Sequence, residues 1–116
     1  MFYKISNITI IYYFPYNGIF RIIGEEFVVP AAVKRNRDLY AEISDRVSNK
    51  GIKNSLMQKL ANANKALEKG NIKAAINIME AFLQEINVQT GKKISTEDAE
   101  YFVFIAASIL RGLELL

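Results

Sequence analysis

The sequence predicts a mainly α protein, a small antiparallel helical bundle preceded by a β-prone N-terminal arm. Eight of the thirteen aromatic residues lie within the first 27 positions of the 116-residue chain, and the remainder is rich in Ala, Lys, Asn, Leu and Ile. After Pro30 the apolar residues recur every three to four positions, which is the helical period. These two observations divide the chain into an arm, residues 1–33, and a helical bundle domain, residues 34–116.

The arm has the residue types that favour β-strands. β-branched and aromatic residues fill positions 8–14 and 19–23, and the segment 15–18 between them supplies Pro, Asn and Gly for a turn. This pattern predicts a hairpin. Because a two-stranded hairpin is only marginally stable in water, we expect the arm to pack on the helices or on a partner, or to mediate self-association.

The apolar stretch of the arm is too short for a membrane span. Pro15, Gly18 and Arg21 interrupt it, well short of the roughly 20 apolar residues that a helix needs to cross a bilayer. Arg21 and Glu25 also stand where a signal peptide would be apolar and free of acidic residues. The arm therefore contains no convincing signal peptide.

A short leading helix is predicted at the start of the bundle domain. Leu39, Ile43 and Val47 form a narrow stripe with spacing i, i+4, i+8, and Asn36 stands where a cap would. We expect this helix to cover about residues 37–49 and to lie on the surface of the bundle.

Three core helices follow, from about residue 52 to residue 115. The second and fourth helices are amphipathic, whereas the third is apolar around most of its circumference and is therefore expected to be central. Phe82 lies in the middle of the wider apolar face of that third helix, and we expect it to be buried. Phe104 is the exception in the fourth helix, because it falls among polar residues.

The connections between the core helices are tight. Gly70 can adopt the left-handed conformation that ends a helix, and Asn71 can cap the next one. Gly91 ends the third helix in the same way, and Ser95 is expected to cap the fourth. Ser55, inside the second helix, is expected to contribute little to stability. A very short connection makes consecutive helices antiparallel neighbours.

The composition excludes most catalytic and metal-binding chemistry. The chain has no cysteine and no histidine, which removes disulfides, thiolate nucleophiles, imidazole bases and nearly every transition-metal site. Glu97, Asp98 and Glu100 open the fourth helix, where acidic residues stabilise the N-terminal dipole. The six glycines do not cluster into a phosphate-binding loop. We therefore predict no catalytic, cofactor-binding or metal site, and no enzyme.

The charges are intermixed along the chain. There are 15 basic and 12 acidic residues, and the densest basic run, Lys34, Arg35 and Arg37, is followed at once by Asp38. This pattern does not form the long cationic stripe that tracks phosphates, and it argues against nucleic-acid binding. These three basic residues nevertheless carry the second functional hypothesis, a small basic nucleic-acid-associated protein.

From about Gly51 to the end, the sequence resembles the FIMAH domain, a small helical module found near the C-termini of secreted bacterial and archaeal proteins. The short motifs Lys-Gly-Asn at 69–71 and Gly-Lys-Lys-Ile-Ser at 91–95 recur at the separation that this family has. The residues that carry the resemblance are Ser55, Leu56, Lys59, Leu60, Asn62, Ala63, Ala66, Leu67, Lys69, Gly70, Asn71, Ala75, Ala81, Phe82, Leu83, Ile86, Asn87, Gly91, Lys92, Ile94, Ser95 and Ala99.

The resemblance implies a non-catalytic accessory or interaction module of the kind attached to secreted or cell-surface hydrolases. It implies an extracellular or cell-surface location, with the cytoplasm as the alternative, and it suggests that the chain is part of a longer protein. The expected partner is another domain of the parent protein or another protein. Phe104, as an exposed aromatic residue on the fourth helix, is the candidate anchor.

Overall fold

A computed structural model describes the backbone of residues 2–5, 8–11 and 17–116 and the side chains of residues 27–116. Near the N-terminus, strands β1 (Phe2–Ile5) and β2 (Ile8–Ile11) pair antiparallel, with Phe2 opposite Ile11. Strand β2 coincides with the start of the first predicted strand. Residues 12–16, which hold the rest of that strand and half of the predicted turn, lie outside the described residues.

Four helices make up the rest of the described chain. They are α1 (Asn17–Arg46), α2 (Lys50–Glu68), α3 (Ile72–Gln89) and α4 (Thr96–Glu114). Each helix packs against the next one in sequence, and α4 returns to pack against α1, so the helices form a closed ring of four. This confirms the predicted mainly α, antiparallel bundle.

Helix α1 is much longer than the predicted leading helix. It begins at Asn17, includes Pro30, and contains the segment 19–23 that was predicted as a strand. The strand prediction for residues 19–23 was wrong because it rested on local β-propensity. Further along the same helix, Val28, Val29 and Val33 are also β-branched, and they pack against the bundle core, where tertiary burial overrides intrinsic propensity.

The C-terminal half of α1 belongs to the core and does not lie on the surface. Leu39 and Ile43 are completely buried, so the predicted stripe is confirmed while its predicted surface position is corrected. Asn36 is not a cap, since it lies inside α1 and is completely buried. The predicted domain boundary between residues 33 and 34 falls within α1 and stays a prediction, which paired truncations can test.

The core runs through the centre of the ring. Phe82 and Phe102 are its largest completely buried side chains, and the burial predicted for Phe82 is confirmed. Helix α3 is not more central than its neighbours, because every helix in the ring contacts two others. A second apolar line on this helix is only partly covered, and Val88 at its end is 59% exposed. The members of this line are Ala74, Ile78, Ala81 and Val88.

The two helix connections predicted from glycine are confirmed. Gly70 and Gly91 both have a φ of 77°, in the left-handed region that glycine adopts without steric cost. The side chain of Asn71 accepts a hydrogen bond from the Ala74 backbone N–H at 3.1 Å and so caps α3. These local signals place the ends of α2 and α3 within one or two residues.

Ser95 caps α4 as predicted, because its hydroxyl accepts a hydrogen bond from the Asp98 backbone N–H at 3.1 Å. Replacing Ser95 by alanine is expected to lower the free energy of unfolding by about 1 kcal/mol. Thr96→Ala, one residue inside the helix, is the control and should be near neutral or mildly stabilising. Urea denaturation measures both, and equal effects would contradict the assigned cap.

Ser55 has a larger role than the sequence predicted. Its hydroxyl donates to Glu85 Oε1 at 2.9 Å, and it accepts from Lys59 Nζ at 3.1 Å. Lys59 Nζ also pairs with the same Glu85 oxygen at 2.8 Å, in a half-buried position between α2 and α3. Local periodicity cannot show a partner 30 positions away on another helix.

Ser55→Ala is therefore expected to destabilise the protein by about 1 kcal/mol, since it removes a hydrogen-bond donor from a partly buried carboxylate. Ser48→Ala, at an exposed serine outside the helices, is the matched control and should leave the unfolding midpoint unchanged. If Ser55→Ala were as neutral as Ser48→Ala in urea denaturation, the network would contribute nothing to stability.

Candidate functional site

The outer face of α4 carries the one site residue that the sequence predicted on this helix, Phe104. Its side chain is 75% exposed, whereas Phe102 and Ala106, two positions to either side, are completely buried. Because successive helical residues are separated by about 100°, Phe104 points directly away from the core. An exposed phenylalanine in this position contributes nothing to the bundle interior and is available for contact.

Two grooves flank Phe104, one on each side of α4. The groove between α1 and α4 has a volume of about 300 Å³. Its lining residues are Arg35, Asp38, Tyr101, Phe104, Ile105 and Ser108. The groove between α3 and α4 has a volume of about 460 Å³. Its lining residues are Asn87, Thr90, Thr96, Ala99, Glu100, Val103 and Phe104. We call Phe104 with these two grooves the α4 surface.

Arg46 fixes the edge of the α4 surface. Its guanidinium carbon lies 4.6 Å from the centre of the Tyr101 ring, in a cation–π contact. The same guanidinium pairs with Glu42 at 2.8 Å and with Asp98 at 3.4 Å. Arg46 thereby holds Tyr101 against the α1–α4 seam and presents a fixed aromatic face beside Phe104.

The sequence did not single out Arg46 as a functional residue. The Glu42–Arg46 pair has the i, i+4 spacing that stabilises a helix surface, and this spacing alone indicates only a solvated face. The contacts to Asp98 and Tyr101 bring together residues on different helices. Only the tertiary structure shows them.

The predicted basic cluster does not stay together. Arg35 Nη1 donates to Ser108 Oγ at 3.3 Å and thus faces α4. Lys34 is highly exposed, and its Nζ lies 3.9 Å from Asp38 Oδ2. Arg37 lines a groove on the α2 side of α1. Arg35 therefore lies on the α4 side of α1 and Arg37 on its α2 side, with Lys34 between them on the exposed face, so the cluster is spread around half of the helix.

The acidic residues have structural partners. Glu97 and Asp98 lie in the first turn of α4, where negative charge stabilises the helix dipole, and Asp98 also pairs with Arg46. Each groove of the α4 surface contains a single carboxylate, Asp38 in one and Glu100 in the other. Within residues 27–116, no cluster of three acidic side chains could hold a metal ion.

Within the part of the chain that the structure describes, no helix combines the length and the apolar character that crossing a bilayer requires.

The fold and this surface define the protein as a small antiparallel four-helix domain with an exposed aromatic residue on its last helix. The family model of the FIMAH domain matches residues 40–111, which is more than half of the chain. The chain therefore belongs to the FIMAH domain family, as the resemblance predicted. No curated protein and no solved structure matches it significantly.

The match includes part of α1 and almost all of the other three helices. Arg46, Tyr101 and Phe104 lie within the matched range, so most of the α4 surface belongs to the part of the chain that the family model matches. Lys34, Arg35 and Arg37 lie outside it. The two hypotheses from the sequence thus rest on different parts of the chain.

Proposed function

We propose that this chain is a non-catalytic accessory module that docks through its α4 surface to another domain of its parent protein or to another protein. The exposure of Phe104 is the observation that carries the proposal. It is a large apolar side chain on the outside of a completed core, between two grooves that can receive the side chains of a partner. Such central aromatic residues supply much of the binding free energy in protein interfaces.

The arrangement around Phe104 favours docking in a fixed orientation. Tyr101 is held by Arg46, and Ile105 continues the apolar lining of the α1–α4 groove. Arg35 and Asp38 give this groove one charge of each sign. A partner surface with an apolar centre and a mixed polar edge fits this pattern better than a polyanion does.

Nucleic-acid binding is the alternative that the dispersed basic cluster disfavours. Phosphate contacts produce a steep loss of affinity with salt, because each contact releases counterions. Docking through Phe104 depends little on salt. A binding titration with duplex and single-stranded DNA at two salt concentrations distinguishes the two, and salt-sensitive binding lost in a Lys34→Gln/Arg35→Gln/Arg37→Gln variant would support the alternative.

An extracellular or cell-surface location is part of the same proposal and rests on the family resemblance. The decisive observation is the reading frame upstream of Met1. A continuous frame encoding a secretion signal and an enzyme would support the location and would supply the partner domain for a binding experiment. A stop codon directly upstream, together with a cytoplasmic fraction of the expressed protein, would overturn it.

Phe104→Ala is expected to weaken binding to that partner domain at least 30-fold, the effect of losing a central anchor of about 2 kcal/mol. Isothermal titration calorimetry measures the affinity. Val88→Ala is the matched control, since Val88 is also an exposed apolar residue but lies on α3. If the two variants bind equally well, or if both keep the affinity of the unchanged chain, the α4 surface is not the docking site.

A further inference from the structure

A third groove lies between α1 and α2, on the other side of α1 from its α4 seam. Its volume is about 340 Å³, at the lower end of the range for small-molecule sites. The lining residues are Asn36, Arg37, Tyr40, Leu60, Ala61, Asn64, Lys65 and Glu68. We call it the α1–α2 groove.

Two buried asparagines form the floor of this groove. Asn64 Nδ2 donates to the Val33 carbonyl oxygen at 3.1 Å, and Asn36 Nδ2 donates to Asn64 Oδ1 at 2.9 Å. A backbone carbonyl can only accept, so it fixes the orientation of the Asn64 amide and, through it, that of Asn36. The atom of this pair that remains without a hydrogen-bond partner is therefore an oxygen, Asn36 Oδ1.

Asn36 Oδ1 is completely buried and has no hydrogen-bond partner among the described residues. A buried acceptor without a donor costs about 1–3 kcal/mol, and such atoms in folded proteins call for a specific explanation. The oxygen needs an O–H or N–H group. In a groove of this size, a small ligand can supply one.

The rim of the groove indicates the other groups of that ligand. Arg37 and Lys65 are exposed, and neither forms an ion pair within residues 27–116. Glu68, one turn beyond Lys65, leaves the rim with a net charge of +1. Two cations favour a carboxylate and disfavour an ammonium group, so a neutral donor such as a hydroxyl fits Asn36 Oδ1 best.

Tyr40 lines the α1–α2 groove close to the buried oxygen. It lies one turn after Asn36, and helical side chains lean toward the N-terminus, which places its ring over the turn that contains Asn36. Tyr40 is 40% exposed, so a rotamer change would move its ring outward into solvent. With Leu60 and Ala61, the ring also provides an apolar wall for a flat ligand.

We propose that the α1–α2 groove binds a small hydroxylated carboxylate of the sugar-acid type. A ligand hydroxyl donates to Asn36 Oδ1 once Tyr40 turns aside, and the carboxylate pairs with Arg37 and Lys65. The apolar face of the sugar ring packs against Ala61 and the edge of the displaced Tyr40 ring. This site is separate from the α4 surface, and the inference stands whether or not Phe104 docks a partner.

The test uses glucuronate, glucose and glucosamine as probes in ¹H–¹⁵N NMR titrations of the full chain. Glucuronate is expected to shift the amide signals of residues 36–40 and 60–68 and to bind at least tenfold more tightly than glucose, with glucosamine weakest. No shifts in these segments up to 20-fold excess, or equal shifts with all three sugars, would overturn the proposal. A short uronate oligomer beside the monomer distinguishes a free acid from a polymer unit, since tighter binding of the oligomer indicates the polymer.

Two variants locate the site. Arg37→Gln/Lys65→Gln should abolish the preference for glucuronate over glucose, whereas the charge-matched control Lys92→Gln/Lys93→Gln, on the α3–α4 connection, should retain it. Asn36→Val should remove binding of all three probes. A thermal melt shows whether Asn36→Val folds. If it does not fold, the test depends on the double variant Arg37→Gln/Lys65→Gln alone, and an unchanged preference for glucuronate in that variant would refute the site.

Discussion

Replacing Phe82 by alanine is expected to lower the free energy of unfolding by roughly 3–5 kcal/mol, a large share of the roughly 5–15 kcal/mol that stabilises a typical domain. Phe82 is completely buried in the ring of helices, so the substitution leaves a cavity that its neighbours fill only partly. Urea denaturation followed by circular dichroism measures the change.

Phe104→Ala is the matched control for Phe82→Ala, because it makes the same chemical change at a side chain that is 75% exposed. Its effect on unfolding should stay below about 0.5 kcal/mol, as for other surface substitutions. The same substitution thus tests stability at the buried Phe82 and partner binding at the exposed Phe104. A loss below about 1 kcal/mol for Phe82→Ala would mean that α3 does not pack as described.

Deleting residues 1–33 is expected to destabilise the bundle by several kcal/mol, roughly 3–5, compared with deleting residues 1–26. The longer deletion removes the buried Ala32 and the partly buried Val28 and Val29, which pack against the core. It also removes the Val33 carbonyl that accepts from Asn64 Nδ2. The shorter deletion keeps every one of these contacts.

Thermal melts of both truncated chains test where the domain begins. A melting temperature for the longer deletion equal to that of the shorter one would support the boundary predicted between residues 33 and 34. Light scattering on the full chain and on the shorter deletion tests the predicted self-association through the arm at the same time. Association that persists without residues 1–26 would place its cause in the helices.

The three later helices could be predicted from sequence because their signals are local. Gly70, Asn71, Gly91 and Ser95 act within one turn of their own position, and the amphipathic period marks the buried side directly. The start of α1 could not be predicted in this way. Its β-branched and aromatic residues favour strands, and no local signal in the sequence indicates that α1 begins as early as Asn17.

The candidate sites also divide into residues with a local sequence signal and residues whose partners are distant in sequence. Phe104 was predicted because an aromatic residue among polar ones breaks the pattern of its own helix. The Asn36–Asn64 pair joins residues 28 positions apart, and Arg46 donates a hydrogen bond to Asp98, which lies 52 positions away. Asn36 resembled a cap because asparagine caps helices often, and nothing next to it in the sequence indicates a buried partner.

The seam between α1 and α4 has a consequence for the order of folding. Arg35 and Ser108 are separated by 73 positions, whereas Ser55 and Glu85 on α2 and α3 are separated by 30. Closing the longer loop costs about 0.8 kcal/mol more in chain entropy, so we expect the α2–α3 hairpin to form before the seam closes. Contacts that form after the transition state govern the unfolding rate and leave the folding rate almost unchanged. A partner bound to the α4 surface beside this seam would therefore lower the unfolding rate and lengthen the lifetime of the folded domain.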